Sequence, residues 1–228
     1  MPHALERVNA VKRYRLASKS APTKKLAETP TRFHVEYMPK SEFLVIPEVS
    51  SERRKYIPIG FLSPSMLASN KLRILKDATL YHFGVLSSEM HMAWVRQVSG
   101  RLESGFQYSV KLDYNNFPWP GEPTSKQRRK VETWAKTVLD LRGELGDGRS
   151  GYLPARKSGT DKATLADLYD PLAMPPNLVK AHAELDRAVD LCYRPQPFTS
   201  ERLRVEFLFE LYEKITAPLV AAPRKSRR

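Results

Sequence analysis

Phe43-Leu44-Val45-Ile46-Pro47-Glu48-Val49-Ser50-Ser51-Glu52-Arg53-Arg54-Lys55-Tyr56-Ile57-Pro58-Ile59-Gly60-Phe61-Leu62 places two β-branched and aromatic runs on either side of the most polar-dense stretch of the chain. Such runs predict strands over Phe43–Pro47 and Tyr56–Leu62, because branched and aromatic side chains pack well on a pleated surface. Pro47 and Pro58 each remove a ladder donor, so these strands lie at sheet edges or end there. Leu80–Leu86 and Gln107–Tyr114 carry the same strand signal. Ser87 or Ser88 can cap a helix starting near Glu89, with Met90, Trp94, Val95 and Val98 as its apolar face and Gly100 as its stop. Residues 32–120 therefore read as one mixed α/β unit.

On the N-terminal side, Leu5, Val8, Val11 and Leu16 fall near helical spacing among Arg7, Lys12, Arg13 and Arg15, so residues 1–31 read as a basic helical connector. Such a helix can lie against phosphates or be a solvated helix packed on a neighbour. On the C-terminal side, Thr124–Glu144, Pro175–Tyr193 and Ser200–Ile215 carry apolar residues three and four apart. Pro176 sits in a first turn, where its missing N–H costs nothing, and Ser200 can cap the last helix. A helix over 121–142 leads through a Gly-, Ser- and charge-rich insertion at 143–162 to a helical domain at 163–216 and a basic tail at 217–228. The fold class predicted is α+β: a mixed α/β part followed by a small all-α part.

The chain has 228 residues with 38 basic and 25 acidic side chains, a formal charge of +13, which favours a polyanionic partner over an acidic small molecule. Charge alone serves solubility equally well. The single cysteine, Cys192, cannot close an intrachain disulfide, and no apolar run approaches the roughly 18 residues that cross a bilayer. The N-terminus has no basic segment followed by an apolar core. A cytoplasmic protein without a membrane partner is expected from these features.

The run Ser50-Ser51-Glu52-Arg53-Arg54-Lys55 joins hydroxyls and guanidinium groups to a rigid strand, a chemistry suited to clamping phosphates or reaching base edges. Standing alone it also reads as a solvated turn. His82 and His91 lie at no ligand spacing with Cys or Asp, so no metal site is expected, and His82 in its apolar run reads as a core histidine. Trp94 and Cys192 read as structural.

Several motifs then occur in a fixed order: Val49-Ser50-Ser51-Glu52-Arg53-Arg54, Tyr56-Ile57-Pro58-Ile59-Gly60, Tyr81-His82-Phe83-Gly84-Val85-Leu86-Ser87-Ser88, Met90-His91-Met92-Ala93-Trp94 and Tyr114-Asn115-Asn116-Phe117-Pro118-Trp119-Pro120. They continue with Leu165-Ala166-Asp167-Leu168-Tyr169-Asp170-Pro171-Leu172, Met174-Pro175-Pro176, Ala181-His182, Leu185-Asp186, Pro197-Phe198 and Phe207-Leu208-Phe209-Glu210-Leu211-Tyr212. In that order they resemble the MmeI-like bifunctional restriction and modification enzymes, class I DNA methyltransferases of bacteria, over nearly the whole chain.

The resemblance implies a target-recognition domain at 32–120 and a C-terminal helical domain, the parts that follow the nuclease and adenine-N6 methyltransferase domains in full-length members. It implies base reading at Glu48, at Asn70 and Lys71 in the turn before a following strand, and at Glu103, Gly105 and Gln107. It leaves Ser50, Ser51, Arg53, Arg54 and Lys55 as backbone contacts. Glu103, Gly105 and Gln107 alternate after Gly100-Arg101-Leu102, and residues two apart on an extended segment project to one side. Glu accepts from the cytosine amino group, Gln pairs with adenine, and Lys donates to guanine, whereas Gly105 can only permit close approach or leave a position unread.

Catalysis needs a cofactor turn and an Asn-Pro-Pro-aromatic loop that grips a flipped adenine. Asn116-Phe117-Pro118 and Pro175-Pro176-Asn177 share its letters but not its order, and Gly146, Gly148 and Gly151 follow no apolar strand. No catalytic or cofactor-binding residue is therefore expected in this chain, and the resemblance implies S-adenosylmethionine only for the methyltransferase domain. Two functions remain: a double-stranded DNA recognition module working with a methyltransferase/nuclease domain on the same or a separate chain, or a non-catalytic remnant or interaction domain without sequence-specific binding.

Overall fold

A computed structural model describes residues 2–33, 36, 39–145 and 163–221. Of the insertion expected at 143–162, residues 143–145 are helical and the rest, with Gly146, Gly148 and Gly151, lies outside the described residues; of the tail expected at 217–228, residues 217–221 continue the last helix and the rest lies outside them. The chain divides into two compact units, Met1–Lys40 with Ser65–Leu67 and Ser41–Pro64 with Ala68–Arg228.

The first unit contains α1 (Pro2–Leu16), α2 (Ala21–Lys25) and a 3₁₀ turn at Leu26–Glu28. No residue of α1 is buried. Its Arg15 closes the segment back on the helix by donating to three carbonyls, Leu26 O and Thr29 O at 2.9 Å each and Arg32 O at 2.6 Å. A guanidinium offers five donors in a rigid fork, which suits it to gather several carbonyls of one short segment at once.

The second unit begins with two antiparallel three-stranded sheets. One has the order β3 (Gly60–Leu62), β1 (Phe43–Pro47), β4 (Leu72–Leu75). The other has the order β2 (Val49–Ser50), β6 (Gly105–Gln107), β5 (Gly100–Leu102). β1 is as expected but is the central strand of its sheet; Pro47, its last residue, is tolerated because the strand ends there. Of Tyr56–Leu62 only Gly60–Leu62 is a strand. Pro58 interrupts the ladder, and Ile59 N turns back to Ile57 O at 2.9 Å.

Two expected strands are helical instead. Leu80–Leu86 forms α3, because Thr79 N donates to His82 Nδ1 at 3.1 Å and the Thr79 hydroxyl lies 2.9 Å from the same atom, closing a capping box. A short apolar run fits a buried helix as well as a buried strand, and here the cap decides. His82 is thus a half-buried cap rather than a strand histidine. The last segment stops as a strand at Gln107 and makes a π turn over Val110–Tyr114. Ser109 starts it by donating its N–H to Asp113 Oδ2 at 2.6 Å and accepting from Leu112 N at 3.4 Å.

The remaining helices are α4 (Glu89–Val98), α5 (Ser125–Leu145), α6 (Leu165–Leu168), α7 (Pro176–Tyr193) and α8 (Glu201–Ala221). Of these, α4, α5, α7 and α8 follow the sequence, whereas the short α6, capped by Thr164 accepting from Asp167 N, is not among the helices expected from it. Ser88 and Ser200 serve as the expected caps of α4 and α8, accepting from His91 N at 3.4 Å and Leu203 N at 3.3 Å. Thr124 and Gln127 bond reciprocally to start α5. No described helix is long and apolar enough to cross a membrane.

The mixed part and the helical part share one core. Leu44 and Ile46 of β1, Phe83 and Val85 of α3, Met90 and Trp94 of α4, Val131 and Val138 of α5, Leu185 of α7 and Leu208 of α8 belong to a single buried cluster. Gly84 lets α3 come close to its neighbours. A Cβ there would stand 2.6 Å from Val131 Cγ1 and 3.3 Å from both Ala135 Cβ and Leu185 Cδ1. Gly84→Val is therefore expected to destabilise the chain by about 2 kcal/mol, the usual scale of overpacking, as a lower urea midpoint at unchanged slope.

Candidate nucleic-acid interface

The chain passes from one sheet to the other at a single residue. Glu48 N donates to Lys71 O at 2.9 Å, extending the β1–β4 ladder, and Glu48 O accepts from Tyr108 N at 2.7 Å, extending the β2–β6 ladder. This corner brings Glu48 beside Lys71 and onto the strand pair that carries Gln107, whose Cα partner is Val49. The Glu48 carboxylate is 12% exposed and has a cation on each oxygen: Lys71 Nζ at 3.5 Å from Oε1 and Arg73 Nη2 at 3.2 Å from Oε2.

Lys71 and Asn70 occupy a tight turn before β4, closed by Leu72 N on Ser69 O at 3.0 Å, and both are exposed. Asn70 accepts from Ser69 Oγ at 3.4 Å. Gln107 is exposed and lines an open groove of about 460 Å³ with Arg73 of β4, Gly100 of β5 and Lys111 of the π turn.

Glu103, Gly105 and Gln107 do not form an extended alternating triplet. Glu103 and Ser104 are the two-residue turn of the β5–β6 hairpin, and Glu103 has φ 55°. The turn matches strand twist in primed geometries, which need positive φ and favour glycine. A Glu there carries backbone strain of about 1 kcal/mol or more. Glu103→Gly is expected to raise stability by about 0.5–1 kcal/mol in urea unfolding. A loss of stability on that exchange would mean that the side chain holds the turn. At Gly105 a Cβ would sit 3.0 Å from Ser50 O and 3.7 Å from Val49 Cγ1, so the glycine permits β6 to approach β2.

The polar run is divided. Ser50 is 3% exposed and its hydroxyl has no partner among the described residues, so it is closed off from a phosphate and leaves the expected set. Ser51 holds its own turn, Oγ accepting from Arg53 N and O from Arg54 N, each at 3.2 Å. Lys55 is exposed but pairs with Glu89 at 2.7 Å. Arg53 is exposed and Arg54 half-buried at the tip.

Directly after that loop, Tyr56 anchors it to α7. The Tyr56 hydroxyl donates to Asp186 Oδ2 at 2.6 Å, and its ring stacks on His182 at 4.1 Å between centroids and 17° between planes. Glu89 N donates to Asp186 Oδ1 at 2.8 Å, and the Tyr169 hydroxyl lies 2.9 Å from His182 Nε2. Burial pushes the Asp186 carboxyl up to about 7 and the His182 imidazole down to about 3; burial, then Asp186, pushes the Tyr56 phenol well above its ordinary value. His91 is likewise buried beside Tyr108, and burial lowers it to about 3. Trp94 packs between Phe117 and Phe209, and Cys192 donates to Ala188 O at 3.4 Å, with its thiol raised to about 11 by burial.

The sequence did not bring forward Arg73 or Lys111. Each is a basic residue next to an apolar one, and only the pairing of β4 with β1 and the π turn bring them to Gln107.

The family model described as the MmeI target recognition domain matches residues 1–121, and that of the MmeI C-terminal domain matches residues 123–220. The chain is 38% identical over 215 residues to DNA methyltransferase A of Bacillus subtilis (strain 168), a match covering 94% of this chain and 22% of that protein. Among solved structures it is similar to the Type IIL restriction-modification enzyme MmeI in complex with DNA, with a TM-score of 0.79 and 40% identity across 94% of this chain and 26% of that one. The chain thus spans between 22% and 26% of the length of these relatives.

Proposed function

We propose, since this chain belongs to the MmeI family, that it is the DNA sequence-recognition portion of an adenine-N6 DNA methyltransferase of the restriction-modification type. The observation that carries this reading is the corner at Glu48, where two sheets bring Glu48 beside Lys71 and Arg73, and Arg73 to the open groove that Gln107 lines. Glu, Lys and Gln are side chains that distinguish base edges in the major groove, and a face that offers acceptors and donors together can read more than one base pair.

Glu48, Asn70, Lys71, Glu103 and Gln107 are the base-reading set, with Gly105 shaping the hairpin. Ser51, Arg53, Arg54 and Lys55 supply backbone contacts. The anchor from Tyr56 to Asp186 and His182 gives the helical part a role in holding that loop for DNA. The charge of +13 supplies sequence-independent affinity that falls with salt.

Methyl transfer belongs to a methyltransferase domain on the same or a separate chain, where S-adenosylmethionine would supply the methyl group. The groove beside Gln107 does not fit that cofactor: it is open, and Arg73 and Lys111 face it with the same charge as a sulfonium, without a carboxylate to hold ribose hydroxyls.

Selection of bound duplexes from a randomised pool by the purified chain tests the reading. A short motif is expected to be enriched, with affinity falling steeply between 50 and ~200 mM salt. Salt-dependent binding without any enriched motif would replace it with a non-specific interaction domain.

A further inference from the structure

Glu48 is not a free acceptor. Its two oxygens are occupied by cations of different kinds. Lys71 is 70% exposed and touches at 3.5 Å, a contact that a competing donor can displace. Arg73 is 36% exposed, sits on β4 with its register fixed opposite Ile46, and holds the other oxygen at 3.2 Å. Its Nε is buried without a partner among the described residues, and its side chain lines the groove beside Gln107. The lysine can therefore leave while the arginine stays.

We propose that Glu48 and Arg73 form one reading unit, in which Arg73 orients the carboxylate for an amino group on a base edge and itself takes a guanine edge once that carboxylate is removed. The inference rests on the sequence-recognition reading above. A carboxylate with one oxygen held by a guanidinium presents its other oxygen in a fixed direction, which suits the N4 amino group of cytosine. Without the carboxylate, the guanidinium fork in the same place matches guanine O6 and N7. The residue at position 48 thus decides whether Arg73 is engaged within the protein or turned to DNA. Arg73 is a positioning residue in the first state and a specificity residue in the second.

The test is duplex selection with the full chain and with Glu48→Ala, Arg73→Gln, Arg73→Lys and the double variant Glu48→Ala/Arg73→Gln, each checked for an unchanged melting temperature. The expected motif carries cytosine at one position that Glu48→Ala converts to guanine, with the other positions retained. Arg73→Gln is expected to weaken discrimination at that position alone by about tenfold, Arg73→Lys to keep part of it, and the double variant to have no preference there. The unit is overturned if Glu48→Ala erases the preference without gaining guanine, if Arg73→Gln leaves the motif intact, or if Arg73→Gln and Arg73→Lys alter every position together with the melting temperature. A parent chain that enriches no motif overturns sequence recognition itself, and the unit with it. A clear parent motif that Glu48→Ala and Arg73→Gln both leave unchanged overturns the unit alone.

Discussion

Arg204→Met is expected to cost the chain about 3–5 kcal/mol of stability, the scale for breaking a buried ion pair from one side. The guanidinium leaves α8 and meets Asp190 of α7 as a fork, Nε to Oδ1 at 3.1 Å and Nη2 to Oδ2 at 2.6 Å, while Nη1 lies 3.3 Å from Glu89 Oε2 on α4. Three helices are tied at one group whose side chain is 9% exposed. Burial pushes the Asp190 carboxyl up and Arg204 opposes that, so methionine leaves a buried carboxylate with its main partner gone. The double variant Arg204→Met/Asp190→Leu removes both charges and is expected to recover most of the loss. Urea unfolding of the three proteins decides it: a cost below about 1 kcal/mol for Arg204→Met would show that the pair is not what holds α8.

Asp186 carries the second large effect, a pH dependence opposite in sign to ordinary acid unfolding. Its carboxyl has an unfolded value of 3.8 and a folded value of about 7, so between these the folded chain keeps a proton that the unfolded chain releases. Its stabilising contribution is complete below pH 3.8 and is lost as pH rises through about 7. Asp186→Asn removes that term, and its hydrogen bonds to Tyr56 and Glu89 keep neutral partners. Relative to the parent, the variant is expected to gain about 3 kcal/mol between pH 4.5 and ~8, at 1.36 kcal/mol per pH unit of difference. His91 and His182, lowered to about 3 by burial, act the other way as pH falls below 6.5, but they are common to both proteins and cancel in the comparison. Parallel stability curves across that range would mean that Asp186 is ionised in the folded chain at low pH.

The helices were legible because their information is local. Apolar residues three and four apart, Ser88 and Ser200 as caps and Pro176 in a first turn specify α4, α7 and α8 with no knowledge of their neighbours. Leu80–Leu86 reads as a strand in sequence because an apolar run of seven residues has no period to separate helix from strand, and the deciding signal is the side chain of His82 reaching back to Thr79. The candidate face was legible in part. Glu48, Lys71 and Gln107 came from motif order, and strand pairing then brought them together. Arg73 was not, since its pairing with Glu48 spans 25 residues of chain and depends on the β1–β4 register. Tyr56 and Asp186, 130 residues apart, stood in motifs whose purpose only the folded chain displays.

The corner at Glu48 has a consequence for how such a chain can diversify. Both hydrogen bonds that hold the corner come from the main chain, Glu48 N to Lys71 O and Tyr108 N to Glu48 O, so any residue other than proline preserves them. The architecture and the side chain displayed at position 48 are separately heritable. Substitutions there can accumulate with little loss of foldedness, and under the proposed base-reading role of position 48 a lineage could drift between binding preferences without passing through unfolded intermediates.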